Sequence, residues 1–302
     1  MSQLTRVAGT EVRIRGRLLR IAKIAGDKYV FVDNPRTVAE GLRKSGVRVD
    51  LFTFLRRLGT TELQFPYYME WDNLAVLQVS TFEHWLKSQI RFAPRGRLRQ
   101  AQKAGIETRE ITFDRSLVEG IWEIYNECPI RQGKRFPHYG KDMETVHREE
   151  ATFLDKSIFI GAFLGEKLVG FVKLVHDETR TQANMMNIVS MAKHRGKCPT
   201  NALIAQAVRS CANRKIQFLV YQNFLYPNRQ SDGLSRFKEA NGFQRVDVPR
   251  YYVPLSRLGR IALKWGFHHR LFDRLPEPIA ARVLSLRTAW YNRKMRAAVG
   301  TP

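Results

Sequence analysis

The chain has 302 residues, 44% of them apolar, which excludes a globally disordered protein and leaves room for one large domain or two ordinary ones. Its 51 Lys and Arg against 28 Asp and Glu give a formal charge of +23, which points to a polyanionic partner: RNA, DNA, anionic lipid or a nucleotide-bearing cofactor. Cys128, Cys198 and Cys211 lack CxxC spacing and argue against a disulfide framework, and no apolar run reaches the ~18 residues of a spanning helix, so a cytoplasmic protein is expected, at most peripheral at the inner face of the membrane.

Residues 11 to 32 alternate between apolar and polar and predict a hairpin turning at Gly26-Asp27. Pro35 to Ser45 predicts a short helix stopped by Gly46, whereas Val47 to Val79 mixes aromatic and aliphatic residues without a clean period and implies sheet and loop. From Lys87 to Arg109 there are seven Lys or Arg and one acid, in a helix expected to end at Gly105 with Arg95, Arg99 and Lys103 exposed.

Glu107 to Phe113 then suits a strand, Ser116 to Cys128 a helix begun near Asp114, and Met143 to Asp155 a second helix. SIFIGAFL, KLVGFVKLV and ANMMNIVSMA predict three antiparallel strands, the first two joined at Gly165-Glu166. Thr200 to Asn213 is a helix with Leu203, Ala207 and Cys211 at helical spacing and Thr200 as its cap; IQFLVYQ is a buried strand, Gln230 to Asn241 a helix and Phe243 to Val253 a last strand. The fold class is α+β: a mixed, mostly antiparallel central sheet flanked by helices.

The order strand, two helices, three strands, helix, strand, helix, strand resembles that of GNAT acyltransferases. Between the third of those strands and the next helix, HRGKCPTNALI (194 to 204) resembles the GNAT loop that surrounds the donor's pyrophosphate with amides at a helix N-terminus. Arg195, Gly196 and Lys197 match it; Cys198 and Thr200 stand at usual glycine positions, and Pro199 removes a donor. With Thr200 and Asn201, and with Asn223 after the following strand, these residues form the expected donor site. GLSRFKEANGF (233 to 243) resembles the last GNAT helix, with Lys238 in place of the tyrosine that commonly protonates the leaving thiolate. The Phe237-Lys238 pair and the basic helix before residue 106 resemble the FemAB branch, which implies two GNAT-like units and transfer from aminoacyl-tRNA. By this resemblance residues 1 to 95 are a smaller, truncated or degenerate N-terminal α/β lobe, 96 to 255 the transferase domain and 256 to 302 a basic helical tail. The donor implied is acyl-CoA or aminoacyl-tRNA.

Acyl transfer needs an electrophilic carbonyl beside a neutral nucleophile, a donor to the developing oxyanion and a path for one proton. The densest polar stretch, IYNECPIRQGKRFPHYGKD (124 to 142), forms one wall of the acceptor site in GNAT-like folds. Glu127 or His138 is the candidate base and Tyr139 the third candidate catalytic group. Arg131, Gln132 and Arg135 suit an acidic acceptor such as a lipid-linked or nucleotide-linked sugar. The histidines show no metal-ligand spacing, and adjacent His268 and His269 would point about 100° apart on a helix, so no metal is expected.

Residues 245 to 302 hold twelve Lys or Arg and three acids. A helix from Arg257 would gather Arg257, Arg260, Lys264 and His268 on one side and Leu258, Ile261, Trp265 and Phe272 on another, and a second helix from Ile279 to Arg296 would follow. Both suit an anionic membrane surface or tRNA. The expected function is transfer of an acyl or aminoacyl group to an amine or hydroxyl of a cell-envelope or exopolysaccharide precursor. The alternative is an inactive protein of the same fold that binds RNA or an anionic membrane.

Overall fold

The computed structural model of the chain describes residues 3–59, 65–131, 134–225, 233–269 and 286. Strands β1 (Gln3–Val7), β2 (Thr10–Arg15) and β3 (Ile21–Ile24) form an antiparallel meander whose inward positions Val12 and Ile14 alternate with exposed polar residues. The hairpin reverses between Arg15 and Ile21, with Val12 opposite Ile24, and not at Gly26-Asp27. Gly16 explains the difference: it adopts φ +105°, and a Cβ there would lie 1.9 Å from the Leu19 carbonyl oxygen. Gly26 also turns the chain, but out of the sheet.

Helix α1 (Pro35–Lys44) ends before Gly46, as its sequence predicts, with Pro at its first turn and Asn34 as cap. Strand β4 (Leu51–Leu55), LFTFL, is buried along its whole length, the pattern of a strand covered on both faces. The long β5 (Tyr68–Gln78) leads into a short turn of helix α2 (Phe82–His84), a π-helical turn (Trp85–Gln89) and the basic helix α3 (Phe92–Lys103).

Strand β6 (Ile106–Ile111) is followed by α4 (Arg115–Asn126), whose first turn is capped by the Asp114 carboxylate. A miniature hairpin, β7 (Ile130–Arg131) and β8 (Lys134–Arg135), precedes α5 (Met143–Glu150). The antiparallel β9 (Ser157–Leu164), β10 (Lys167–His176) and β11 (Gln182–Ser190) follow, then α6 (Pro199–Asn213), β12 (Phe218–Val220), α7 (Gly233–Ala240), β13 (Gln244–Pro254) and α8 (Arg257–Lys264). Leu203, Ala207 and Cys211 of α6 are buried. Thr200 is not the cap of α6: Cys198 holds that position with left-handed backbone angles, and Pro199 is the first helical residue.

All strands but the β7–β8 pair join one 11-stranded sheet in the order β1-β2-β3-β4-β13-β5-β12-β11-β10-β9-β6. The N-terminal and C-terminal halves therefore share a backbone ladder, and β13 is the strand that ties them, pairing with β4 on one side and β5 on the other. A large apolar cluster surrounds β9 to β11 with α3, α4 and α6, and a second, built on Phe52, Phe54 and Tyr251, fills the N-terminal half. The second tail helix expected at Ile279 to Arg296 lies outside the described residues.

Candidate active site

Strands β11 and β12 run parallel for three residue pairs, Gln182–Phe218, Ala183–Leu219 and Asn184–Val220, and then part. Beyond that point β11 continues to Ser190 without a strand partner on this side among the described residues, while the chain after β12 turns away through Gln222 at φ +55°. The Gln222 side-chain amide donates to the Met185 carbonyl at 2.6 Å and holds the wedge open at its apex. Lys173 faces Asn187 and Leu174 faces Met185 across the neighbouring pair, so Met186 is an extra residue in β11 and the strand bends there.

The wedge opens into a cavity of about 850 Å³. Ile188 and Ser190 of β11, Tyr221 and Phe237 line it, together with the turn that begins α6. Arg97, Arg195 and Arg236 also line it, and among its described lining residues none is acidic. Such a site suits a ligand with an apolar or amide body and a phosphorylated end.

Of the residues expected to hold the donor, Arg195, Gly196, Thr200 and Asn201 line this cavity; Lys197 and Asn223 do not. The turn offers few amides to a phosphate. Pro199 has none, the Cys198 amide donates to the Arg195 carbonyl at 3.1 Å, and the Asn201 amide donates to the Cys198 carbonyl at 3.1 Å. Positive charge at this end comes from arginine side chains.

The stretch from 124 to 142 meets the end of β11, but its polar groups are largely engaged with the protein. The Glu127 carboxylate accepts from the Ala192 and Lys193 amides at 2.6 and 3.0 Å, which anchors the start of the 3-10 turn leading to Arg195. The Arg131 guanidinium donates to the Ser190 and Ile124 carbonyls, both at 2.6 Å, and lies 4.3 Å from the Phe136 ring centroid. These two residues hold the end of β11 and the turn that follows it in place. His138 stacks on Tyr125 with ring centroids 4.3 Å apart, and its Nδ1 lies 3.0 Å from the Lys141 ammonium. Lysine can only donate, so Nδ1 accepts and the ring is neutral. Burial, with Lys141 adding to it, holds the imidazole pKa down at about 4, which makes it a weak base at neutral pH. Tyr139 and Arg135 are exposed; Gln132 lies outside the described residues.

A half-buried polar network behind the wedge is not legible in any local motif. Asn223 is its hub: the side-chain oxygen accepts from Lys28 at 2.8 Å, the side-chain amide donates to Asp72 at 3.0 Å, and the backbone carbonyl accepts from Lys238 at 2.5 Å. Arg250 bridges Asp72 and Asp27 at 3.0 and 2.9 Å, and Lys23 completes the chain of charges at Asp27. Desolvation lowers the Lys28 pKa to about 8. Lys238 is fully buried, its ammonium 4.8 Å from the ring centroid of Tyr221, the residue that lines the cavity. A second buried group, Glu150 with Tyr125 and Asn187 at 2.8 and 2.7 Å, ties α4 and α5 to β11.

Neither a family model nor a curated protein matches the chain. Solved structures do. The C-terminal domain of a protein assigned as a lysylphosphatidylglycerol synthetase in Agrobacterium fabrum superposes with a TM-score of 0.56 at 13% identity, over 87% of each chain. L-PGS from Bacillus licheniformis gives 0.55 at 13% identity over 89% of this chain and 90% of that one. FemX gives 0.56 at 10% identity over 86% and 90%. The fold is GNAT-like and is shared with FemX and these synthetase structures. Coverage of this extent includes the N-terminal half, so the likeness extends well beyond the segment of residues 96 to 255 that carries the sequence resemblance.

Proposed function

We propose that this protein is an acyltransferase that moves an aminoacyl or acyl group from a phosphate-bearing donor to a hydroxyl or amine of a cell-envelope or exopolysaccharide precursor. The observation that carries the reading is the cavity at the parting of β11 and β12, lined by Arg97, Arg195 and Arg236. Aminoacyl-tRNA is the donor favoured over acyl-CoA, because the turn before α6 has few unbonded amides for a pyrophosphate while arginines supply charge along the opening. The names of the lysylphosphatidylglycerol synthetases attach lysine to an acidic lipid in those proteins, and an anionic envelope acceptor suits the charge of +23.

In this reading the donor carbonyl sits near Tyr221, backed by the Lys238 ammonium, whose charge favours the oxyanion that forms when the acceptor attacks. Glu127 and Arg131 keep the donor loop in register and touch no reactant. Purified protein incubated with charged tRNA and an envelope extract is expected to transfer the amino acid. Replacing Arg195 and Arg236 together by Ala is expected to lower kcat/KM by about 10- to 100-fold, the cost of one or two charge-assisted contacts. No transfer from either charged tRNA or acyl-CoA, with an unaltered phenotype for Arg195→Ala in cells, would dismiss the enzyme.

One observation favours a binding role instead. Helix α8 exposes Leu258, Ile261 and Trp265 between Arg257, Arg260 and Lys264, as an interfacial helix does. An active protein whose α8 variants fail to reach vesicles unites the two readings; binding without turnover selects the second.

A further inference from the structure

The helical geometry that would separate His268 from His269 does not apply to them. Helix α8 stops at Lys264, and Gly266 takes φ +68°. The Phe267 amide donates to the Ala262 carbonyl at 2.7 Å and the Gly266 amide to the Leu263 carbonyl at 3.2 Å, a Schellman closure that swings the chain back toward β5. Both imidazoles then converge on one carboxylate oxygen, Glu70 Oε1: His268 Nε2 at 2.8 Å and His269 Nε2 at 3.1 Å. The Tyr68 hydroxyl donates to the same oxygen at 3.1 Å.

Three neighbours exceed the two lone pairs of that oxygen. The His268 Nδ1 faces the Ala262 carbonyl oxygen at 3.4 Å, which can only accept, so Nδ1 carries a proton and Nε2 is the nitrogen turned toward Glu70. An Nδ1 proton directed at a backbone carbonyl is also the usual support for a histidine that ligates through Nε2. The three ligand atoms lie within 4.8 Å of one another. Ligands about 2.0–2.2 Å from a tetrahedral zinc stand roughly 3.4 Å apart, so the two contacts to Glu70 would open by about 0.3–0.6 Å and the two imidazole nitrogens would settle at that spacing from within the 4.8 Å that bounds the cluster. Rings of Tyr252 and Tyr68 flank His268 at 4.7 and 5.9 Å, the His268 side chain is 1% exposed and that of His269 41% exposed. The cluster is thus closed on the protein side and open toward solvent.

We propose that Glu70, His268 and His269 form a site for Zn2+ or a similar borderline divalent ion, with water as the fourth ligand, and that the ion fastens the end of α8 to β5. The donor set of two imidazoles and one carboxylate is one that zinc accepts and Mg2+ does not favour.

The full chain, stripped of metal by dialysis, is titrated with Zn2+ against a chromophoric chelator and with Co2+ by visible absorption. The proposal expects one equivalent of Zn2+, a rise in Tm with Zn2+ and not with Mg2+, and Co2+ bands free of thiolate charge transfer and unchanged by C128S and C198S. His269→Ala, a change at a partly exposed side chain, is expected to weaken Zn2+ binding at least tenfold, and Glu70→Gln likewise. Zn2+ binding in H269A and E70Q equal to that of the parent, thiolate bands in the Co2+ spectrum, or no binding in the competition assay would each overturn it; the last result would leave Glu70 as an ion-pair partner of protonated imidazoles.

Discussion

Cys198 holds a backbone conformation that glycine adopts at no steric cost, with φ +55° and ψ +38° immediately before Pro199. The glycine position of the GNAT loop is therefore kept in shape and lost in residue type, and the same step that bends the chain toward the cavity puts a thiol where an amide-rich cradle would need open space. His138 carries a different consequence. Its pKa is about 4 in the folded protein against about 6.5 for a free imidazole, so between these values the unfolded chain binds more protons and folding stability falls as pH drops from about 6.5 to 4. His138→Gln removes that titration. Denaturant midpoints measured across the window are expected to flatten in the variant; an unchanged pH slope would place the origin elsewhere.

Helix α8 meets the sheet through a residue without a side chain. A Cβ on Gly259 would lie 1.9 Å from the Asp50 carbonyl oxygen, and the Asp50 side chain accepts from Ser256, the cap of α8. Gly259→Ala cannot be absorbed by a rotamer change, because the obstacle is backbone. It is expected to cost about 1–3 kcal/mol of stability and to expose the α8 segment to protease, as measured by denaturation and limited proteolysis; a variant as stable as the parent and equally resistant would contradict this docking. The elements from β6 to β13 were legible in the sequence because each carries its own period and stop: Asp114 caps α4, Gly165 turns β9 into β10, and Gly242 ends α7. The first hairpin was misplaced because Gly16 and Gly26 both carry positive φ, and only the approach to the Leu19 carbonyl distinguishes the reversal. The turn before α6 is a contiguous motif. The network of Lys28, Asp72, Asn223 and Arg250 did not, since its members come from distant segments brought together by strand pairing, and no spacing records that.

At the scale of the molecule, a charge of +23 sets how any polyanion is held. Affinity for tRNA is expected to fall linearly on a log–log plot against salt, and each arginine that meets a phosphate contributes about one to the slope. Replacing Arg97, Arg195 and Arg236 together should then reduce the slope by about three, measured by filter binding over a salt series, whereas an unchanged slope would locate the nucleic-acid surface away from the cavity.

The place of β13 in the sheet has a further consequence, for synthesis. Strands β4 and β5 leave the ribosome roughly 170 to 190 residues before the strand that lies between them, the spans from Gln78 and Leu55 to Gln244. At ~5–20 residues per second the nascent chain carries LFTFL, with both faces apolar and one edge unpaired, for about 10–40 s. Until the C-terminal segment arrives, that strand needs shelter from its own neighbours on the polysome, so production of this protein in quantity is a matter of chaperone supply as much as of final stability.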